Sequence, residues 1–94
     1  MPAPMSPAGA TVGTSSAQVV AANARRTSIS VKNLASLGTV YLALGEAAQL
    51  EKGIALSPGQ SYHMSVVDLT PSVIFAIADM AGLKIAIQEY QNAE

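Results

Sequence analysis

The chain has 94 residues, a formal net charge of −1 and a pI of about 5.7, and half of its residues are hydrophobic. A chain of this length predicts one domain, and a domain this small buries only about 60% of the surface that its unfolded chain exposes. Its five basic residues are scattered, whereas binding to a phosphate backbone needs clustered cations, so we expect no nucleic acid partner. There is no cysteine, which excludes disulfides and cysteine-based zinc sites.

Charged residues make up 12% of the chain, against about 25% in an average soluble domain. So few charges leave much neutral surface that a neighbouring protein can cover. We expect no secretory leader, because the first charged residue is Arg25 and no continuous apolar core precedes it. We expect no membrane segment either, because residues 73–87, the longest apolar stretch, are interrupted by Asp79, Gly82 and Lys84.

Residues 1–16 differ in composition from the rest of the chain. They contain three prolines and two glycines among small residues, and proline supplies no backbone donor while glycine carries a high entropic cost. The composition predicts an extended, mobile N-terminal arm without regular structure. Residues 17–94 then form the folded domain.

The domain reads as short apolar-alternating runs separated by glycine and proline turns. Alternation is clearest where Val40, Leu42 and Leu44 share one face. Residues 57–60, Ser-Pro-Gly-Gln, have the proline and glycine of a type II turn. We predict strands over residues 18–22, 27–33, 39–44, 53–56, 61–67, 73–78 and 83–89. About seven short antiparallel strands at this spacing predict an all-β fold, a small β-sandwich or jelly-roll-like barrel.

No arrangement of residues indicates catalysis. The single histidine, His63, alternates away from Tyr62 and Met64 and is expected on the outer face, with no matching serine motif nearby. Most acidic residues fall in predicted turns or near the C-terminal end, where solvated charges normally lie. We therefore predict a protein that is not an enzyme and that has no catalytic residue, metal site or cofactor.

Carbohydrate binding is an alternative, because many sugar-binding modules are β-sandwiches. Exposed aromatic rings usually contact the sugar, and this chain has no tryptophan, one phenylalanine and three tyrosines. Phe75 is expected in the core. Tyr41 and Tyr62 are the two rings predicted to be half-exposed, so they are the candidate contacts.

Several phrases together carry a family resemblance. They are the turn NARR at residues 23–26, SVKNL at 30–34, GTVYLALG at 38–45, GIALSPGQSY at 53–62, IFAIA at 74–78 and the strand at 83–89. Over residues 15–90 the chain resembles the small β-sandwich virion structural proteins of tailed bacteriophages. These serve as capsid decoration (cement) proteins, head-fibre bases or tail modules. The resemblance implies no catalytic residues, and the arm lies outside it.

The resemblance and the composition together predict a capsid decoration protein on the outside of a virion, assembled in the host cytoplasm. Its expected partners are the major capsid protein and other copies of itself, with a trimer favoured. Open sheet edges of a small sandwich invite pairing with another chain. The arm residues Pro2, Pro4, Met5 and Pro7 are the predicted contacts. A tail or baseplate component and a carbohydrate-binding host-attachment module remain as alternatives.

Overall fold

The computed structural model describes residues 2–65 and 70–92. In this part of the chain every regular element is a strand. The strands are β1 (Pro2–Pro4), β2 (Ala8–Val12), β3 (Ala17–Val20), β4 (Arg26–Asn33), β5 (Val40–Leu44), β6 (Ile54–Leu56), β7 (Ser61–Met64), β8 (Ile74–Ala78) and β9 (Leu83–Asn92). The predicted all-β class is confirmed. Residues 66–67 of the predicted strand 61–67 lie outside the described residues.

The strands form two antiparallel sheets that face each other. Sheet A has the order β1-β9-β4-β7, with β2 also paired to β9, and sheet B has the order β3-β8-β5-β6. Strands β2 to β9 thus have the strand order of a jelly roll, with β2-β9-β4-β7 in one sheet and β3-β8-β5-β6 in the other. Within the described ranges no helix is long and apolar enough to cross a membrane.

The core lies between the two sheets and follows the alternation of the sequence. Val40 and Leu42 are fully buried on the inner face of β5, and Leu44 packs against the same core. Strand β8 lies between β3 and β5, and Ile77 on its outer face is 9% exposed, with Tyr41 of β5 as its cross-strand neighbour. The inward side chains that are most deeply buried come from both sheets: Val12, Ile29, Val31, Met64, Ile74, Ala76 and Ile85.

The expectation that residues 1–16 lack regular structure is wrong for residues 2–4 and 8–12. Strand β1 pairs with residues 90–92 of β9, and β2 pairs with residues 83–87 of the same strand. Met5 donates its backbone N–H to Glu89 O at 2.9 Å, so the neighbouring backbone nitrogens of Pro4 and Pro2 face away from β9. Proline is tolerated on an edge strand in this orientation because no ladder hydrogen bond is lost.

A buried ion pair joins β4 to β9. Arg26 donates from Nε to Glu89 Oε2 at 2.6 Å, and its side chain is fully buried. Its other nitrogens donate to the carbonyls of Ala21, Thr70 and Ser72. The expectation that acidic residues near the C-terminal end are solvated is wrong for Glu89, because this residue alternates onto the buried face of β9 together with Ile85 and Ile87. The pair ties the loops of this end of the sandwich to β9.

Candidate functional site

An open apolar groove lies at the other end of the sandwich. Two loops form it, residues 34–39 between β4 and β5 and residues 79–82 between β8 and β9, and it encloses about 450 Å³. Leu34, Leu37 and Met80 are 55%, 70% and 43% exposed there. Large apolar side chains open to water at one place mark a contact surface.

Asn33, the last residue of β4, organises the loops beneath the groove. It is fully buried, and its Nδ2 donates to Leu56 O at 2.9 Å and to Gly38 O at 3.2 Å. Its Oδ1 accepts the backbone N–H of Ala35 at 2.9 Å. Its side-chain donors and acceptor are thus satisfied by the loop and by β6, which gives the groove a defined shape without a ligand.

Glycine is required at position 38, where the first loop turns towards the second. Gly38 has φ +94°, and a Cβ atom there would come within 2.7 Å of Leu83 Cδ1 and 2.8 Å of Met80 Cγ. Thr39 donates its N–H to Asp79 Oδ1 at 3.0 Å, so a side-chain bond also joins the two loops. The loops therefore pack directly on each other along the groove.

The groove is nearly neutral. Lys84 is the one charged residue among those that line it. The site therefore offers apolar contact and one cation, which suits an apolar segment of another protein.

This site was not predicted from the sequence, although a signal was present. The loops at residues 35–38 and 79–82 were predicted, but the apolar residues Leu37 and Met80 inside them were not singled out. A large apolar side chain in a turn is not placed in the core by strand alternation. It therefore indicates either that another part of the protein covers the loop or that the loop forms a contact surface.

The four predicted arm contacts lie on the domain's own sheet A. Pro2 and Pro4 belong to β1, and Pro7 is exposed just before β2. Met5 is the most strongly held, because its carbonyl accepts Gln88 Nε2 at 2.8 Å in addition to the bond from its N–H to Glu89. The arm is therefore extended, as its composition predicts, and occupies the outer edge of β9.

The two predicted tyrosine contacts do not form one surface. Tyr41 lies opposite Ile77 in sheet B and points away from the core, because the alternate residues Val40 and Leu42 are buried. Tyr62 belongs to sheet A and packs against the core. The two rings lie on opposite sheets and do not build a shared sugar platform.

His63 lies on the exposed outer face of sheet A, as its alternation predicts. Its Nδ1 is 2.9 Å from Ser30 Oγ, the residue directly opposite on β4. Sequence reasoning missed this contact because the two residues are 33 positions apart. Over residues 2–65 and 70–92, no three His, Asp or Glu side chains form a group suited to a metal ion.

Comparison with known proteins supports the fold. No family model matches the chain, and no curated protein matches it. A solved structure of Bacillus endospore appendages, described as a novel family of disulfide-linked pili, matches with a TM-score of 0.61 and 11% identity, over 100% of this chain and 88% of that chain. At this identity the likeness establishes a shared β-sandwich fold.

Proposed function

We propose that this protein is a non-enzymatic structural subunit of a phage virion, a decoration protein that binds the outer capsid surface. The apolar groove between the two end loops carries this proposal. Leu37 alone leaves 70% of its surface in water, in a small domain with few charges. Burying such a side chain against another protein stabilises the complex by about 1.5 kcal/mol or more.

The proposed occupant of the groove is a neutral, apolar surface segment of the major capsid protein. The single cation, Lys84, fits a partner segment with at most one acidic group beside the apolar contact. The protein then stabilises contacts between neighbouring capsid subunits as a homo-oligomer, with a trimer as the favoured form. Many copies compensate for the small area that a 94-residue chain offers.

A second candidate is a subunit of a bacterial surface filament. The fold likeness to the Bacillus endospore appendages favours it, since a pilus is also a multi-copy assembly. The absence of cysteine means that such a filament would not be linked by disulfides. A tail or baseplate component would also be a subunit of a multi-copy assembly. A carbohydrate-binding module differs from these candidates because its partner would be a sugar.

The copy number per particle separates these functions. Quantitative mass spectrometry of purified virions, with heads and tails separated, is expected to find hundreds of copies in the head fraction. A few copies in the tail fraction would contradict capsid decoration and indicate a tail component. Absence from virions together with presence in a surface filament would establish the second candidate.

The groove is tested by binding to capsid shells that lack this protein. Leu37→Gln is expected to weaken binding about tenfold or more, because about 1.4 kcal/mol of lost contact corresponds to a factor of ten. Leu50→Gln is the matched control, since Leu50 is 45% exposed but lies in the loop between β5 and β6, outside the groove. Equal affinity of the two variants would contradict the role of the groove.

A further inference from the structure

We infer that in the assembled state the N-terminal segment, residues 2–12, docks on strand β9 of a second copy of this chain. The chains then exchange arms, and each arm makes on its neighbour the contacts that it makes here on its own domain. The inference rests on the proposed function in one respect, since exchange needs many copies held side by side.

The acceptor is the edge of β9. This strand is ten residues long, and Leu83, Ile85 and Ile87 alternate on its buried face. It pairs with β4 on one side and with the arm on the other. Without an arm, β9 would present a long apolar edge with unpaired backbone groups, which is the kind of edge that accepts a strand from another chain.

The arm is held to its own domain by backbone pairing and few side chains. Val12 is its one fully buried side chain within residues 3–12, and Ala10 is partly buried against the core. The first 24 residues of the chain carry no charged side chain, so docking or release moves no charge out of water. The arm is thus a separable strand, and its removal leaves most of the core in place.

The connection between β2 and β3 can act as a hinge. It consists of residues 13–16, Gly-Thr-Ser-Ser, and it crosses from sheet A to sheet B. Thr14 and Ser15 at its centre are exposed, whereas Gly13 O accepts the N–H of Ala78 and Ser16 Oγ accepts the N–H of Ala48, both at 2.8 Å. Full extension of the connection therefore breaks these two hydrogen bonds. Fully extended, four residues span roughly 13 Å, which lets the arm reach a domain in contact.

Because an exchanged arm makes the same contacts, concentration decides between the two states. A strand tethered by a short flexible linker has an effective concentration on the order of millimolar. Dilute protein therefore keeps its own arm, whereas copies packed in an assembly reach the concentration at which exchange competes.

Part of the docked arm also blocks further pairing at the edge of the sheet. The backbone nitrogens of Pro2 and Pro4 face outward and carry no hydrogen, so this part of the outer edge lacks donors for a further strand. The β1 part of an exchanged arm therefore cannot donate hydrogen bonds to a further strand, whereas β2, residues 8–12, contains no proline and keeps its outward N–H groups.

Cysteine cross-linking tests the exchange cleanly, because the natural chain has no cysteine. Thr11 and Lys84 lie directly opposite each other in the register of β2 and β9, and both are exposed. Full-length Thr11→Cys and Lys84→Cys proteins are mixed, unfolded and refolded together at about 1 mM, the scale of the effective concentration, and then oxidised. We expect disulfide-linked heterodimers, whose yield falls roughly in proportion to concentration on dilution towards 10 µM.

The control mixture pairs Thr11→Cys with Ser61→Cys, another exposed position, on β7 at the opposite edge of sheet A. The inference is overturned if heterodimers at about 1 mM are no more frequent in the test mixture than in the control mixture. The double variant Thr11→Cys/Lys84→Cys must cross-link within one chain in dilute solution, which verifies the register.

Shortening the hinge provides a second test. Deleting Thr14 and Ser15 leaves two residues between β2 and β3, which span about 7 Å when fully extended. This is less than the roughly 10 Å between packed sheets, so we expect a stable dimer by light scattering. A monomer with an undocked arm would overturn the inference. If the protein cross-links as expected but is absent from virions, capsid decoration is refuted and arm exchange is supported. The failure of the proposed function can therefore be distinguished from the failure of arm exchange.

Discussion

The buried Arg26–Glu89 pair predicts a large effect from a single substitution. Arg26→Met keeps much of the length of the side chain but removes the donors to Glu89 Oε2 and to the carbonyls of Ala21, Thr70 and Ser72. Glu89 keeps the bond from Asn23 Nδ2, at 3.2 Å, and its carboxylate stays largely out of water without a cation. Removing one partner of a buried ion pair costs about 3–5 kcal/mol.

This loss is large for a domain of this size. Small domains have a free energy of unfolding of about 5–15 kcal/mol, so Arg26→Met is expected to lose about a fifth of it or more. At about 4–8 °C per kcal/mol for a domain of 60–100 residues, the melting temperature falls by roughly 12–40 °C. Urea unfolding followed by circular dichroism measures the free energy.

Two further variants make the experiment specific. Lys32→Met removes one positive charge from an exposed position on the same strand and is expected to change stability by about 0.5 kcal/mol or less. The double variant Arg26→Met/Glu89→Leu removes both charges and is expected to recover at least half of the loss, because an apolar pair of similar volume replaces a buried ion pair at little cost. A loss below about 1 kcal/mol in Arg26→Met, against the expected 3–5, would refute the reasoning.

Two other predictions concern backbone conformation and a buried amide. Gly53→Ala is expected to destabilise the domain by more than Gly59→Ala. Both glycines have φ near +80°, but only at Gly53 would a Cβ atom meet a backbone atom, Leu42 O at 2.4 Å. We expect Gly59→Ala to cost about 1 kcal/mol from φ strain alone, and equal losses of the two variants in thermal unfolding would contradict this. Asn33→Leu is expected to cost about 1–3 kcal/mol for each buried group that it leaves unpaired. Hydrogen exchange of the Ala35 amide should accelerate, because this N–H loses its acceptor. Unchanged exchange would contradict the conclusion that Asn33 holds the loop in place.

Much of the sheet architecture was readable in the chain because burial in a sandwich follows a period of two. The predicted inner residues of β5 and the outward position of His63 are confirmed for this reason. The type of each strand was easier to predict than its ends. Strand β9 extends to Asn92, three residues beyond the predicted end, because β1 and Arg25 provide backbone partners there.

The candidate site was less predictable than the fold. Leu34 and Met80 are 46 positions apart in the sequence, and their proximity depends on which loops meet at one end of the sandwich. The same holds for the bond between Arg26 and Glu89, which joins residues 63 positions apart. Neither alternation nor turn signals contain this information, because both are local.

By itself, the sequence determined the all-β class, the inward and outward face of most strands, and the lack of cysteine chemistry. These follow from local alternation, turn residues and composition. Only the tertiary structure decided where the arm lies, which charges are buried and which loops form the groove. Those features depend on contacts between residues that are distant in the chain, and these contacts form only when the two sheets pack against each other. The prolines of the arm illustrate the difference, since they disfavour a strand in isolation but fit one at the edge of a finished sheet.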